Sequence, residues 1–99
     1  MKNLAIVAVG KYTENFITSI DIIEKFTNTF NTVYVLTDNV DKLQNYTTNT
    51  KLTYIFTHYS KDKFNYFDKL YFSLNLVLNT HKDTVYCDVA TLHRLNDYN

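Results

Sequence analysis

The chain has 99 residues, enough for one domain, and its 45% hydrophobic and 16% aromatic content excludes a disordered chain. Ten basic and ten acidic residues cancel, and the lysines are scattered, so nothing on the surface draws nucleic acid or anionic lipid electrostatically. Cys87 is the single cysteine, which excludes an intrachain disulfide and a cysteine-built zinc site and fits a reducing compartment.

The first element is a continuous apolar run, Leu4 to Val9, ended by Gly10, the only glycine of a chain without proline. Such runs suit a central strand buried on both faces of a parallel sheet. The run is too short for a signal-peptide core or a membrane span, and the expectation is a soluble cytoplasmic protein. Thr13 and Glu14 then provide a cap and a first-turn acid, and Phe16, Ile17, Ile20, Ile23, Phe26 and Phe30 recur at helical spacing, predicting a helix over about 13–30.

Thr32 to Thr37 is β-branched and aromatic and is stopped by Asp38-Asn39, which predicts a second strand. A short helical turn is expected over 41–45 and a polar loop over 45–50. Leu52 to Thr57 reads as a third strand and 60–63 as a polar turn. Phe67, Leu70, Tyr71, Leu74, Val77 and Leu78 then follow helical spacing closely, and this second long helix ends near 79–82. Thr84 to Val89 is a fourth strand. Asn, Thr, Tyr, Lys and Ile are abundant throughout, a bias that AT-rich codons produce, so polar and tyrosine-rich stretches carry little functional weight.

This alternation predicts a doubly wound, Rossmann-like parallel α/β sheet with strand order 3-2-1-4. Strands 1 and 4 then lie side by side with connections leaving in opposite directions, which is where open α/β sheets bind ligands. The strand ends at that point are Gly10-Lys11-Tyr12 and Asp88.

A dinucleotide-binding glycine fingerprint, a P-loop, an acidic pair after strand 1 and a nucleophile elbow are all absent. His58, His81 and His93 have no metal-ligand spacing to one another or to Cys87 and read as solvated or loop histidines. The positive signal is Asp88, at the end of an apolar strand. A carboxylate there needs a partner. A divalent cation holding a diphosphate, Mg²⁺ or Mn²⁺, is one reading, and a cap on the following turn is the other.

Three segments carry a family resemblance: Ala5 to Phe16 with its Val9-Gly10-Lys11-Tyr12 core, Val33 to Asp38, and Val85 to Val89. Together they resemble the N-terminal half of a GT-A-fold glycosyltransferase, closest in phrasing to the blood-group and α-1,3-galactosyltransferase family. The first segment is the most specific, because the fold alone does not demand it. The resemblance implies a nucleotide-sugar-binding domain spanning 1–99 that binds a UDP-sugar, UDP-galactose or UDP-N-acetylgalactosamine, for retaining transfer to a sugar hydroxyl of a glycan acceptor.

By the same resemblance Val9 and Gly10 would offer backbone to the uridine and Tyr12 a ring to the uracil. Asp38 would lie near the nucleoside, Lys69 would reach the donor, and Asp88 would contact the metal or donor. The residue types also allow plainer roles. Tyr12 can pack over the first helix, Asp38 can be a turn residue, and Lys69 can be a solvent-facing lysine beside Asp68.

Two departures from the family pattern stand out. Its Asp-x-Asp metal motif becomes Asp88-Val89-Ala90 here, so the second acid is missing. A complete enzyme of this type is also more than twice as long, and its acceptor site and catalytic carboxylate lie in the second half. The expectations are therefore a donor-binding portion of a transferase or, alternatively, a non-catalytic nucleotide-binding or association module derived from one. Apolar surface left uncovered on the strand 4 side predicts self-association, a partner, or a missing C-terminal half.

Overall fold

A computed structural model of the chain describes residues 1–26, 28–45, 52–58, 60 and 65–92. The elements are β1 (Asn3–Ala8), α1 (Tyr12–Thr18), α2 (Ile20–Phe26), β2 (Val33–Thr37), α3 (Val40–Gln44), β3 (Leu52–Phe56), α4 (Tyr66–Thr80) and β4 (Thr84–Asp88). The expected loop over 46–50 and the turn over 61–63 lie outside the described residues, as does His93.

The four strands form one parallel sheet in the order β3-β2-β1-β4, as the alternation of elements predicts. Every residue of β1 is buried, which explains its unbroken apolar run: a central strand has no solvent face. Its alternate side chains feed two cores. Leu4, Ile6 and Ala8 join Val33 and Val35 beneath Phe16, Ile23 and Leu43 from the first three helices. Ala5, Val7 and Val9 join Leu36 beneath Phe72 and Leu76 of α4. The fold is therefore doubly wound, with α1 to α3 on one face and α4 on the other.

The helix expected over 13–30 is two helices. At Ser19 the backbone turns to φ −105°, ψ 7°. Its amide donates to the Phe16 carbonyl (3.1 Å), while its own carbonyl accepts from Ile22 and Ile23 and starts α2. Thr13 is not the cap. α1 begins at Tyr12, and the Thr13 hydroxyl turns back to the Ala8 carbonyl at 3.5 Å. Phe30 lies beyond α2 in a bend and is fully buried.

α4 is bounded sharply. Asn65 and Asp68 form a capping box: the Phe67 amide donates to Asn65 Oδ1 at 2.8 Å, and the Asn65 amide donates to Asp68 Oδ2 at 2.7 Å. At the other end His81 adopts the left-handed region, φ 56°, which ends the helix. α4 does not bury the residues whose spacing predicts it. Phe72 and Leu76 face the sheet, while Phe67, Leu70, Tyr71, Leu74 and Leu78 are exposed. The uncovered apolar surface is thus concentrated on α4, and Val85, Tyr86 and Cys87 of β4 are half-buried.

Among the described residues, no helix is long and apolar enough to cross a membrane.

Candidate functional site

The carboxyl end of β1 is set by Gly10, whose φ of 56° would cost most other residues about 1–2 kcal/mol. The left-handed turn lets the Tyr12 amide reach the Val9 carbonyl (3.1 Å) and the Thr13 amide reach the Gly10 carbonyl (3.2 Å), so the chain passes directly from strand to α1. The Gly10 amide points sideways and donates to Asp38 Oδ1 at 3.0 Å. Asp38 follows β2, the neighbour of β1, so the first two strand ends are tied together at their tips. Beside that tie lies a cleft of about 460 Å³ lined by Asp38, Asn39, Val40, Asp41, Tyr54 and Phe56.

On the other side of β1, β4 ends at Asp88, in register with Val7. Tyr86 and Asp88 point the same way because alternate residues of a strand share a face. The Tyr86 hydroxyl donates to Asp88 Oδ1 at 2.6 Å, and Lys69 Nζ of α4 donates to the same oxygen at 3.2 Å. The hydrogen bond from Tyr86 holds the Asp88 carboxyl below its ordinary value, burial opposes that, and Lys69 adds to the lowering by hydrogen bond and charge. The carboxylate is thus kept ionised by two donors.

The Asp88 side chain therefore does not cap the following turn. The turn over 89–92 is held instead by the Thr91 hydroxyl on the Asp88 carbonyl at 3.2 Å, and Val89 and Leu92 anchor it in the core.

The expected site residues fall into two groups flanking β1. Val9, Gly10 and Asp38 are joined by the turn. Tyr12 stands beside them, exposed, with the Lys11 ammonium 5.3 Å from its ring centroid. Lys69 and Asp88 are joined by an ion pair. Lys69 is therefore neither free nor paired along the helix with Asp68, which caps α4 instead. Asp38 acts on the β1 turn rather than only on its own. Val9 is buried, and its carbonyl is taken by Tyr12.

Sequence reasoning missed Tyr86. Its place two residues before Asp88 on one strand was the available signal.

The chemistry this arrangement can do is ionic. Lys69 is a compact cation held by one carboxylate at the mouth of the sheet, where an anionic group with more charge can compete for it. Among the described residues no three His, Cys, Asp or Glu side chains come together. Exposed Ala90 brings no side-chain oxygen, and Lys69 already engages Asp88 Oδ1. These residues do not form a cage for a resident divalent ion. One held at Asp88 would displace the ammonium from Oδ1 and take its other ligands from substrate oxygens and water. His58 and His81 are exposed, as expected of solvated histidines. Comparison with protein-family models, curated proteins and solved structures gives no match to the chain.

Proposed function

We propose that the chain binds a nucleoside diphosphate at the carboxyl ends of β1 and β4, as the donor-binding part of a glycosyltransferase that uses a UDP-sugar. The observation that carries this reading is the Lys69–Asp88–Tyr86 cluster at the carboxyl end of β4, the neighbour of β1 at the strand order's switch point. A diphosphate takes Lys69 from Asp88, and Tyr86 keeps the released carboxylate hydrogen-bonded. Tyr12 is exposed at the start of α1 and offers its ring to the uracil, while the Val9 and Gly10 backbone groups shape the turn rather than face the ligand. Galactose or N-acetylgalactosamine would be passed to the hydroxyl of a glycan acceptor, whose site and catalytic group belong to sequence outside these residues.

A second reading, a non-catalytic nucleotide-binding or association module, is favoured by Ala90 standing where the family's second metal carboxylate would be.

Thermal melting with UDP, UDP-galactose, ADP and NAD, each with and without Mn²⁺, tests the binding site. A ligand specific for the folded state raises the melting temperature, by about 2.7 kcal/mol of stability at a hundredfold excess over Kd. The expected outcome is a rise with UDP and UDP-galactose that is lost in Lys69→Ala. No rise with any nucleotide sinks the donor site, and equal rises with ADP and NAD sink the uridine preference. A rise that needs Mn²⁺ and disappears in Asp88→Asn would assign the cation to Asp88. Sugar transfer to lactose by the longest natural form of the protein separates the enzyme from the non-catalytic module.

A further inference from the structure

α4 is apolar on two sides. One side, Phe72 and Leu76, packs on the sheet. The other carries Phe67, Leu70, Tyr71, Leu74 and Leu78, which are between 48% and 66% exposed. Exposed apolar residues gathered on one side of a helix mark a surface that another element covers. Four of the outward residues, Phe67, Tyr71, Leu74 and Leu78, follow alternating steps of four and three, the spacing by which two helices pack along a seam. Phe67, Leu70, Tyr71 and Leu74 surround a shallow hollow of about 370 Å³, a shape that receives a side chain from outside.

We infer that this face is the contact surface of a homodimer in which two copies lay their α4 helices antiparallel across a two-fold axis. Three observations select a second copy as the occupant.

The first is size. Phe67 and Tyr71 are aromatics of roughly 150–250 Å² each, and with about half to two-thirds of all five side chains exposed the patch presents on the order of 500 Å². That lies at the upper end of the largest apolar patch a monomer carries, roughly 300–600 Å². Two such faces with their rims approach the ~1,200 Å² at which specific interfaces begin.

The second is charge. α4 carries only Asp68 and Lys69, the first used in its own cap and the second on Asp88. From Leu70 to Thr80 the helix is uncharged, and the chain has zero net charge. Two copies therefore meet without like-charge repulsion and without desolvating an ion, while a charged partner finds nothing on this face to select it.

The third is self-complementarity. The aromatic residues Phe67 and Tyr71 lie toward the amino end of the stripe, and Leu74 and Leu78 toward the carboxyl end. An antiparallel pair sets each copy's aromatic half against the other's aliphatic half, and each contact occurs twice, as a two-fold axis requires.

Sedimentation velocity over a concentration series, up to about 100 µM, reads this directly. The expected species has twice the 11.7 kDa chain mass. Leu74→Glu and, separately, Leu70→Glu should each return it to one chain mass with the far-ultraviolet circular dichroism of the parent. Both positions are about half exposed, so the charge is tolerated in the monomer. Asn28→Glu, at an exposed turn position after α2, which packs on the sheet face opposite α4, should leave the dimer intact. A wild-type chain that stays monomeric throughout, or that forms open-ended higher species, overturns the inference. So does a dimer that survives both substitutions in α4. This result is independent of nucleotide binding, which the melting experiment reads separately.

Discussion

Tyr54 sets its ring edge-on against Phe16, with centroids 6.3 Å apart, and carries its hydroxyl into a place where no described group accepts or donates a hydrogen bond. Burial, reinforced by the negative charge of Glu24, pushes its pKa up to about 12. A folded-state value above the unfolded one near 10 means the folded protein holds this proton more tightly. The associated stability is fully present below pH 10 and is lost as pH rises from 10 toward 12. Tyr54→Phe should therefore flatten the alkaline fall in a pH series of chemical denaturation. At neutral pH it should be neutral or stabilising by up to about 1 kcal/mol, because an unpaired hydroxyl leaves the interior. Nothing in Leu52-Thr53-Tyr54-Ile55 announces that role, since one tyrosine in a tyrosine-rich chain looks like the next. Asp88 was legible because a carboxylate ending an apolar strand is rare without a reason. What engages it was only half legible: the Lys69 contact crosses from α4 to β4, a pairing that no sequence spacing encodes.

At the scale of elements, α4 shows how far periodicity reaches. Spacing alone located the helix, and its amino end is fixed by the reciprocal Asn65 and Asp68 bonds. Asn65→Ala should cost about 1 kcal/mol, within the 0.5–2 kcal/mol usual for such caps, and should shift the urea midpoint without changing the slope. Which side of α4 packs on the sheet was not legible. The denser stripe is the outward one; the crossover from β3 to β4 sets the sheet face on which α4 lies, and Phe72 and Leu76 are the residues it turns toward the strands. The break at Ser19 was hidden for a related reason. Phe16, Ile17, Ile20 and Ile23 all pack on or against one face of the sheet, so their spacing runs smoothly through a change of hydrogen-bonding partners that it does not record.

For the molecule as a whole, strand order followed from the alternation of elements and from β1 being apolar throughout, so the place of the candidate site was legible before any residue in it. The exception inside that strand is Asn3, fully buried at its start. Its amide nitrogen donates to Thr80 Oγ1 at 2.7 Å, and its carbonyl oxygen accepts from Asn31 Nδ2 at 3.4 Å. One side chain thereby ties β1 to the end of α4 and to the approach to β2. Asn3→Ala removes both bonds at a fully buried position, while Thr80 keeps its bond to the Leu76 carbonyl and Asn31 its bond to Thr32, and should destabilise the fold by about 1–3 kcal/mol. Calorimetry should show the melting point falling by roughly 4–8 °C for each kcal/mol.

The tie between Asn3 and Thr80 spans 77 residues, and β4 lies further on still. Of the four described strands, β1 is made before the other three, and one of its two edges is filled only by β4, the last of the four. On a ribosome adding about 5–20 residues per second, that edge waits on the order of ten seconds with its amides and carbonyls unsatisfied. β1 is also the most apolar segment of the chain. The newborn protein therefore passes through an interval in which its stickiest strand offers a template to any extended neighbour, and the arrival of β4 closes it.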